Sequence, residues 1–551
     1  MLPLKTPISI VIFSKKKCPP CTATKNRLNT IISLADRAYG EGVYQVQEYN
    51  VKEQPDIVGS IDVTNLPVVL FDGKIGLPSG MASELLYMSK KTTTPVGLEF
   101  EMIGNEPNSN FSSQRYDLLY NHLFSEMVKA YESKAKLMRI QEDERKLVAF
   151  SLVQNLAAHQ YETKTPIRED IGDYVHIGVV QRIVLSLLAL SDVAENFLHQ
   201  GGRDLGRHGI SQVILPLIYP DFHKGITPKE KFKEAINRLK ALYNKNEFAL
   251  HITDRAKIIE LEKNYARLQI DGSAYATGVG DVQEPLCHLL AGEMEGIIET
   301  QLGDDVSVNE TKCWGTGANH CEFEIRLGEK SKVFLPSKTS PKTLQERMYL
   351  FEERLGIISR NMNDSLRMKT SLRGMVDFVH ISALQQALAT LKVSDPFTSI
   401  LLYFAGNRFG SLGADKYTLM KIVDHYRTKK NLRLPFEFND GITVLAEYFR
   451  HPSIMLERSH GLVEYEITEE EKAEFRIFDS AFAVGMQVQL SKIEKGDRPD
   501  NFLKPIKKLC DFTAGFIAGR LKILTGAEPK VEETHCYSSG DNFCQFSVEL
   551  E

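Results

Sequence analysis

Cysteine serves as nucleophile, redox centre and metal ligand, and this 551-residue chain has eight of them, placed with a rule. Six form two sets of three, Cys287, Cys313 and Cys321, then Cys510, Cys536 and Cys544. In both sets the second cysteine follows the first by 26 positions and the third follows the second by 8. A glutamate stands three before each middle cysteine, Glu310 and Glu533. The remaining pair is Cys18-Pro19-Pro20-Cys21. The first thirteen residues carry one lysine, a strand-like Ile8–Phe13 and no small-residue cleavage site, so we expect no secretory leader and a cytoplasmic location. There, cysteines serve metals or redox chemistry more readily than structural disulfides. Small buried thiols that only pack remain an alternative for the six, and a redox-sensing cluster is a third.

The elements that must carry these residues can be read in outline. Strand and helix alternate at the start: Ile8–Phe13, a helix running from the Cys-Pro-Pro-Cys turn toward Leu34, a strand over Tyr44–Tyr49, another through Val68–Phe71 into an Asp72-Gly73 turn, and a helix over Met81–Lys90. From Ser112 to Thr165 there is no glycine or proline, and Leu119, Leu123, Met127, Leu137, Ile140, Leu147 and Phe150 recur at helical spacing, which predicts one long helix or two in series. An internal duplication follows. Asp173-Tyr174-Val175-His176-Ile177 returns as Asp377-Phe378-Val379-His380-Ile381, and each copy places a glycine 29 positions after its aspartate and another four further on, Gly202 and Gly206, then Gly406 and Gly410. Between the second of these glycines and the cysteine set, the second copy carries 19 more residues than the first.

Each copy reads as helix-rich, ending in a helix and two strands. Pro285–Gly303 places Leu286, Leu289, Leu290, Met294, Ile297 and Ile298 on one face. The closing strands alternate, with Cys321, Phe323, Ile325 and Leu327 matched by Cys544, Phe546, Val548 and Leu550. Residues three apart on a regular strand face opposite sides, so Glu310 and Cys313 can act together only where the strand bends or ends. The paired glycines mark close helix packing or the wall of a cavity, His176 and His380 are core or cap residues, and Trp314 is a packing residue. Thr468-Glu469-Glu470-Glu471 reads as a capping box on a solvated helix. The resulting domains are 1–92, a linker and long helix over 93–165, the first copy over 166–330, a linker helix over 331–370 and the second copy over 371–551.

Composition excludes several classes. With 42% hydrophobic and 25% charged residues and a net charge of -5, the chain is an ordinary globular one and not a dedicated binder of nucleic acid or membrane surfaces. No apolar run reaches the roughly 18 residues of a membrane span. P-loop, dinucleotide, Ser/His/Asp and helix-turn-helix signatures are not found.

Residues 1–92 resemble the thioredoxin/glutaredoxin family through the Cys18–Cys21 motif at a strand-to-helix turn and Leu66-Pro67 further on, with Lys15-Lys16-Lys17 in place of the tryptophan usual in thioredoxins. The resemblance implies an attacking Cys18, a resolving Cys21 and an active-site cis-proline at Pro67. A helix N-terminus and adjacent lysines would favour the thiolate. The two copies resemble the 4-vinyl reductase-like domain family, whose members include the sensory domain of aromatic-responsive bacterial activators. In that branch one glutamate and three cysteines hold a structural zinc. The resemblance implies one site at Cys287, Glu310, Cys313 and Cys321 and a second at Cys510, Glu533, Cys536 and Cys544. Three thiolates and a carboxylate suit tetrahedral Zn2+ and leave no open position for catalysis.

The expected fold class is therefore α/β and α+β multidomain: a thioredoxin-like fold plus two tandem zinc-containing α+β domains of the 4-vinyl reductase-like type, arranged as an intramolecular pseudo-dimer, with a homodimer of whole chains also compatible. The expected function is binding or sensing a small apolar molecule, aromatic or tetrapyrrole, coupled to a redox-active head; the ligand-binding residues are unknown from sequence. A thiol-disulfide oxidoreductase acting on a thiol-bearing protein client, and a non-catalytic scaffold, are the alternatives. Trp314 against Tyr537 and the extra residues of the second copy indicate that the copies have diverged.

Overall fold

The computed structural model describes residues 7–16, 44–53, 68–71 and 74–77, isolated positions between 21 and 32, and then 166–190, 194–215, 231–244, 252–331, 351, 353–358, 377–394, 398–412, 416–430, 434–486, 506–527 and 529–550. Cys18, Pro67, the Met81–Lys90 helix and the helical stretch 112–165 lie outside the described residues. The chain divides into two compact units.

In the first unit, strands β1 (Ile8–Ser14), β2 (Tyr44–Asn50), β3 (Val68–Phe71) and β4 (Lys74–Leu77) form one mixed sheet in the order β2-β1-β3-β4. β1 runs parallel to β2 and antiparallel to β3, and β3 and β4 pair antiparallel. Ile8, Ile10 and Ile12 are buried, as period-two burial on one sheet face requires. The helical residues Cys21, Thr24 and Leu28 are buried at helical spacing. Cys21 packs with Phe13 at the end of β1, and Phe13 stacks on Tyr49 of β2.

The second unit holds both copies. In the first, β5 (Tyr174–His176) leads into α1 (Ile177–Leu190) and α2 (Ala194–Asp204), which continues as a π-helix over Leu205–Ile214. α3 (Lys231–Asn244), the hairpin β6 (Arg255–Leu261) and β7 (Tyr265–Asp271), α4 (His288–Leu302), β8 (Val306–Lys312) and β9 (Cys321–Leu327) follow. In the second copy, β10 (Phe378–His380) leads into α5 (Ile381–Ser394), α6 (Thr398–Leu412), α7 (Lys416–Lys430) and α8 (Phe438–Arg450). β11 (Val463–Glu469), β12 (Lys472–Ile477), α9 (Asp511–Thr525), β13 (Pro529–His535) and β14 (Cys544–Leu550) close it. Both copies build a four-stranded antiparallel sheet of the same order, β6-β7-β9-β8 and β11-β12-β14-β13.

Two expectations are corrected here. The hairpin preceding the cysteine helix doubles the expected pair of strands. Thr468–Glu471 is the turn region of the β11–β12 hairpin rather than a capped helix. Ala473, Phe475 and Ile477 alternate with polar residues and are buried, and that period of two outweighs a local Thr-x-x-Glu match.

The repeated pentapeptide is where the copies meet each other. β5 pairs antiparallel with β10, with Val175 opposite Val379, His176 opposite Phe378 and Tyr174 opposite His380. Ile177 N–H donates to the Asp377 carbonyl and Ile381 N–H to the Asp173 carbonyl, both over 2.9 Å. The histidines cap the helices that follow: His176 Nδ1 accepts from Gly178 N–H and His380 Nδ1 from Ser382 N–H. α1 then packs on α6 of the other copy, and α5 on α2.

The paired glycines set the helix crossings. α4 lies across α2 and its π-helical continuation, and α9 across α6. A Cβ on Gly202 or Gly206 would come within 3.0 Å of the α4 backbone, and one on Gly292 or Gly296 would do the same to the α2 backbone. In the second copy Gly406, Gly410, Gly515 and Gly519 stand in the same relation. Backbone-to-backbone packing at this distance has room for no side chain.

Candidate functional site

Each four-residue cluster converges on one point. In the first copy Cys287 is the N-cap of α4, Cys313 follows β8 and Cys321 opens β9. In the second, Cys510 is the N-cap of α9, Cys536 follows β13 and Cys544 opens β14. A bulge resolves the strand-periodicity conflict: the β8–β9 register shifts between Glu310 and Lys312, and the β13–β14 register between Glu533 and His535. The extra residue turns the glutamate toward the cysteine three places on. One ligand atom from each of the four residues lies within 4.8 Å of the others in both clusters.

The donor sets fit a tetrahedral ion. Cys287 and Cys321 Sγ are 3.5 Å apart and Cys321 and Cys313 Sγ 3.9 Å apart; the second cluster gives 3.4 Å for Cys510–Cys544 and 3.8 Å for Cys544–Cys536. Sulfurs about 2.3 Å from a tetrahedral zinc would sit about 3.8 Å from one another. One oxygen of each glutamate accepts the N–H of the first cysteine, Glu310 from Cys287 and Glu533 from Cys510. The other, Glu310 Oε1 and Glu533 Oε1, is buried with no hydrogen-bond partner. A buried carboxylate oxygen left in this state calls for a cation. Burial pushes the Cys287, Cys510, Glu310 and Glu533 groups up toward their protonated forms. Burial acts on Cys313 and Cys536 in the same sense, but hydrogen bonds from the neighbouring thiols and glutamate prevail and draw both well down. Each cluster could hold a metal ion and is compatible with zinc.

A second feature was not legible as a site in the sequence. Between the copies lies a partly enclosed pocket of about 70 Å3, walled by Phe409 of α6, Phe512 and Phe516 of α9, Tyr448 and Phe449 of α8, and Arg182 of α1 from the other copy. Arg182 bridges to Glu457 at 2.7 Å, with side chains only 6% and 4% exposed, and its guanidinium lies 5.2 Å from the Phe409 ring centre. Arg520 sits 5.0 Å from the ring centres of both Tyr448 and Phe516. The pocket's edge also includes Ser480 and His460. His460 is buried; its Nδ1 is 3.0 Å from the Gly461 carbonyl, which makes Nδ1 the donor. Nε2 is then a bare acceptor with no partner. Burial lowers the His460 pKa and keeps the ring neutral. Phe512 and Phe516, four apart on the cysteine helix where the first copy has Leu289 and Glu293, are the sequence signal that could have marked the pocket. Arg182 and Glu457 carried none.

Cys21 is buried and disulfide-bonded. Among the described residues no helix is long and apolar enough to cross a membrane.

Comparison with known proteins bears on the two copies. The 4-vinyl reductase-like domain family matches residues 266–327 and 504–550, the cysteine-bearing end of each copy, which supports tandem domains of this kind and suggests small-molecule binding or a sensory role. An uncharacterized protein of Methanocaldococcus jannaschii, MJ1642, is 36% identical over 76 residues, 14% of this chain and 47% of that protein, so the chain spans about half the length of this relative. A second from the same organism, MJ0150, is 26% identical over 165 residues, 30% of this chain and 83% of that protein. Among solved structures, a trafficking protein particle complex subunit 3 from Naegleria fowleri covalently bound to palmitic acid aligns over 35% of this chain and 99% of its own at 12% identity; its TM-score of 0.19 gives the match no weight.

Proposed function

We propose that this is a cytosolic small-molecule-binding protein whose tandem 4-vinyl reductase-like domains hold one small aromatic ligand between them, with a structural zinc ion at each Cys3Glu cluster. The observation that carries the ligand reading is His460: a neutral imidazole, its tautomer fixed by the Gly461 carbonyl, presenting a bare Nε2 at the edge of a pocket otherwise walled by aromatic rings. An unpaired buried acceptor costs about 1–3 kcal/mol, which a hydroxyl or N–H on the ligand would recover. The ring faces accept an aromatic partner. Size argues against a tetrapyrrole. The roughly 70 Å3 available is below the roughly 150 Å3 of a cavity that admits benzene, so even a single ring enters by displacing side chains.

Zinc would be held by Cys287, Glu310, Cys313 and Cys321, and by Cys510, Glu533, Cys536 and Cys544. It would supply a crosslink between the cysteine helix and the closing hairpin, contributing directly to folding. In the N-terminal unit, the β2-β1-β3-β4 sheet and the disulfide-bonded Cys21 beside Phe13 favour a redox module in which Cys18 attacks, Cys21 resolves and Pro67 faces them. Those features also favour a second reading, a thiol-disulfide oxidoreductase whose large domains select a client. Glutathione-disulfide reduction that is lost in Cys18→Ser would favour it.

The ligand reading is tested by isothermal titration of the zinc-loaded chain with phenol and with toluene. Phenol is expected to bind more tightly, and His460→Phe to weaken phenol about ten-fold while leaving toluene nearly unchanged. Absence of phenol binding, or a phenol affinity indifferent to His460→Phe, would refute it.

A further inference from the structure

We propose that the aromatic pocket and the C-terminal metal cluster are energetically coupled, with Ser480 as the positioning residue between them. The proposal rests on the ligand reading above. Ser480 lines the pocket, and its Oγ lies 3.6 Å from Cys510 Sγ. Once a metal deprotonates Cys510, the hydroxyl becomes the donor to a thiolate, and such outer contacts tune metal affinity by about 10–100-fold. The neighbouring residue makes a parallel contact: Asp479 N–H donates to the hydroxyl of Tyr537, which adjoins Cys536.

The turn carrying both contacts is held firmly on its other side. Asp479 has a φ of 52°, a left-handed conformation, where the first copy has Gly272 at 65°. A non-glycine residue keeps such a conformation only when its surroundings impose it. Here the buried Arg168 guanidinium donates to the Asp479 and Arg458 carbonyls, and Ala481 N–H donates to the Ser459 carbonyl at 2.9 Å. Ser459, His460, Ile477 and Ser480 therefore form one edge of the pocket as a single paired loop. The cluster reaches the opposite wall too, because Cys510 is the N-cap of the helix that carries Phe512 and Phe516. A ligand that presses on this loop and this helix acts on the seat of Cys510, and by linkage a metal there changes ligand affinity by the same factor.

The first copy is a built-in control. Ser273 Oγ lies 3.4 Å from Cys287 Sγ in the same arrangement, but Glu293 occupies the helix position that Phe516 fills. Only the second cluster should respond to the ligand.

The test loads the full chain with zinc and follows its extraction by excess chelator with a zinc-responsive dye, with and without phenol at a concentration shown by calorimetry to saturate. Two phases are expected, one slowed about five-fold or more by phenol and the other unchanged. Ser480→Ala should speed the responsive phase and remove its phenol dependence, Ser480→Thr should restore it, and Ser273→Ala should alter only the unresponsive phase. Bound phenol with both phases unchanged overturns the proposal, as does a phenol effect that survives Ser480→Ala. Uptake of fewer than two zinc ions also overturns it. The comparison of wild-type chain with and without phenol decides the matter even where a variant fails to fold. Absence of phenol heat refutes the ligand reading itself and is thereby distinct from a failure of coupling.

Discussion

Six residues after its N-cap cysteine, the helix α9 places Phe516 against Tyr448; six residues after its own, α4 places Glu293 against Tyr243. Around this one position the two copies share nearly everything. Both cross a cysteine helix over a glycine-paired helix with backbones in contact, both clip that helix to a bulged hairpin through three cysteines and a glutamate, and both enter through a histidine-capped strand. The interiors differ completely. In the second copy Phe516, Phe409 and Arg520 make an aromatic pocket. In the first, the Tyr243 hydroxyl donates to Glu293 Oε1 over 2.9 Å, with Oε2 buried and unpartnered, and the neighbouring turns of α4 carry Glu295 and Glu299 paired to His199, Arg203 and Arg207. The scaffold is fixed by glycines and the metal cluster, neither of which faces the interior, and this leaves the interior free to diverge.

That comparison predicts which changes should treat the copies alike and which should not. Gly292→Ala and Gly515→Ala each drive a methyl group into a backbone carbonyl, of His199 and Tyr403 respectively. Each is expected to cost more than about 4 kcal/mol in urea unfolding, with the copies equal. A tolerated alanine in one copy alone would show that the shared crossing is not what holds both. Arg182→Gln places in the first copy the residue that Gln386 already provides at the corresponding point of the second. It strands the buried Glu457 carboxylate and is expected to cost about 3–4 kcal/mol, whereas Gln386→Met should cost far less. Thermal melts of the two variants make the check.

Glu293 gives the smallest effect and one the second copy cannot imitate. Burial raises its carboxyl to about 7, against the lowering influence of the Tyr243 hydrogen bond, while the unfolded chain keeps the ordinary 4.5. The folded state therefore binds the proton more strongly. The stability this brings is whole below pH 4.5 and is lost as pH rises through about 7, a fall of about 3 kcal/mol. Glu293→Gln should abolish that fall, so the difference in urea stability between pH 5 and pH 8 shrinks relative to wild type. An unchanged slope would mean that Glu293 is compensated elsewhere.

Several of these features can be read from the sequence, and some cannot, for a consistent reason. The Cys-Glu-Cys-Cys spacing, the paired glycines and the repeated Asp-x-Val-His-Ile are one-dimensional facts, and the structure assembles them as four-residue clusters, helix crossings and a shared two-stranded sheet. The hairpin at Thr468–Glu471 hides behind a four-residue capping pattern that is more conspicuous than the alternation beside it. The bulge beside Glu310 is legible only as a requirement, since nothing in Glu310-Thr311-Lys312-Cys313 itself says where the extra residue goes.

What the sequence determined by itself is the repetition and its chemistry: two equivalent cysteine helices, two closing hairpins and the ligand types at their junctions, all set by spacing and periodicity within about 35 residues. What only the tertiary structure decided is which copy acquired a pocket and from what. Arg182 and Glu457 stand 275 positions apart, and their pairing exists because the pentapeptide strands dock and swing α1 onto α6 of the other copy. Such a contact depends on the shape complementarity of two folded surfaces, and no local pattern of residue types encodes it.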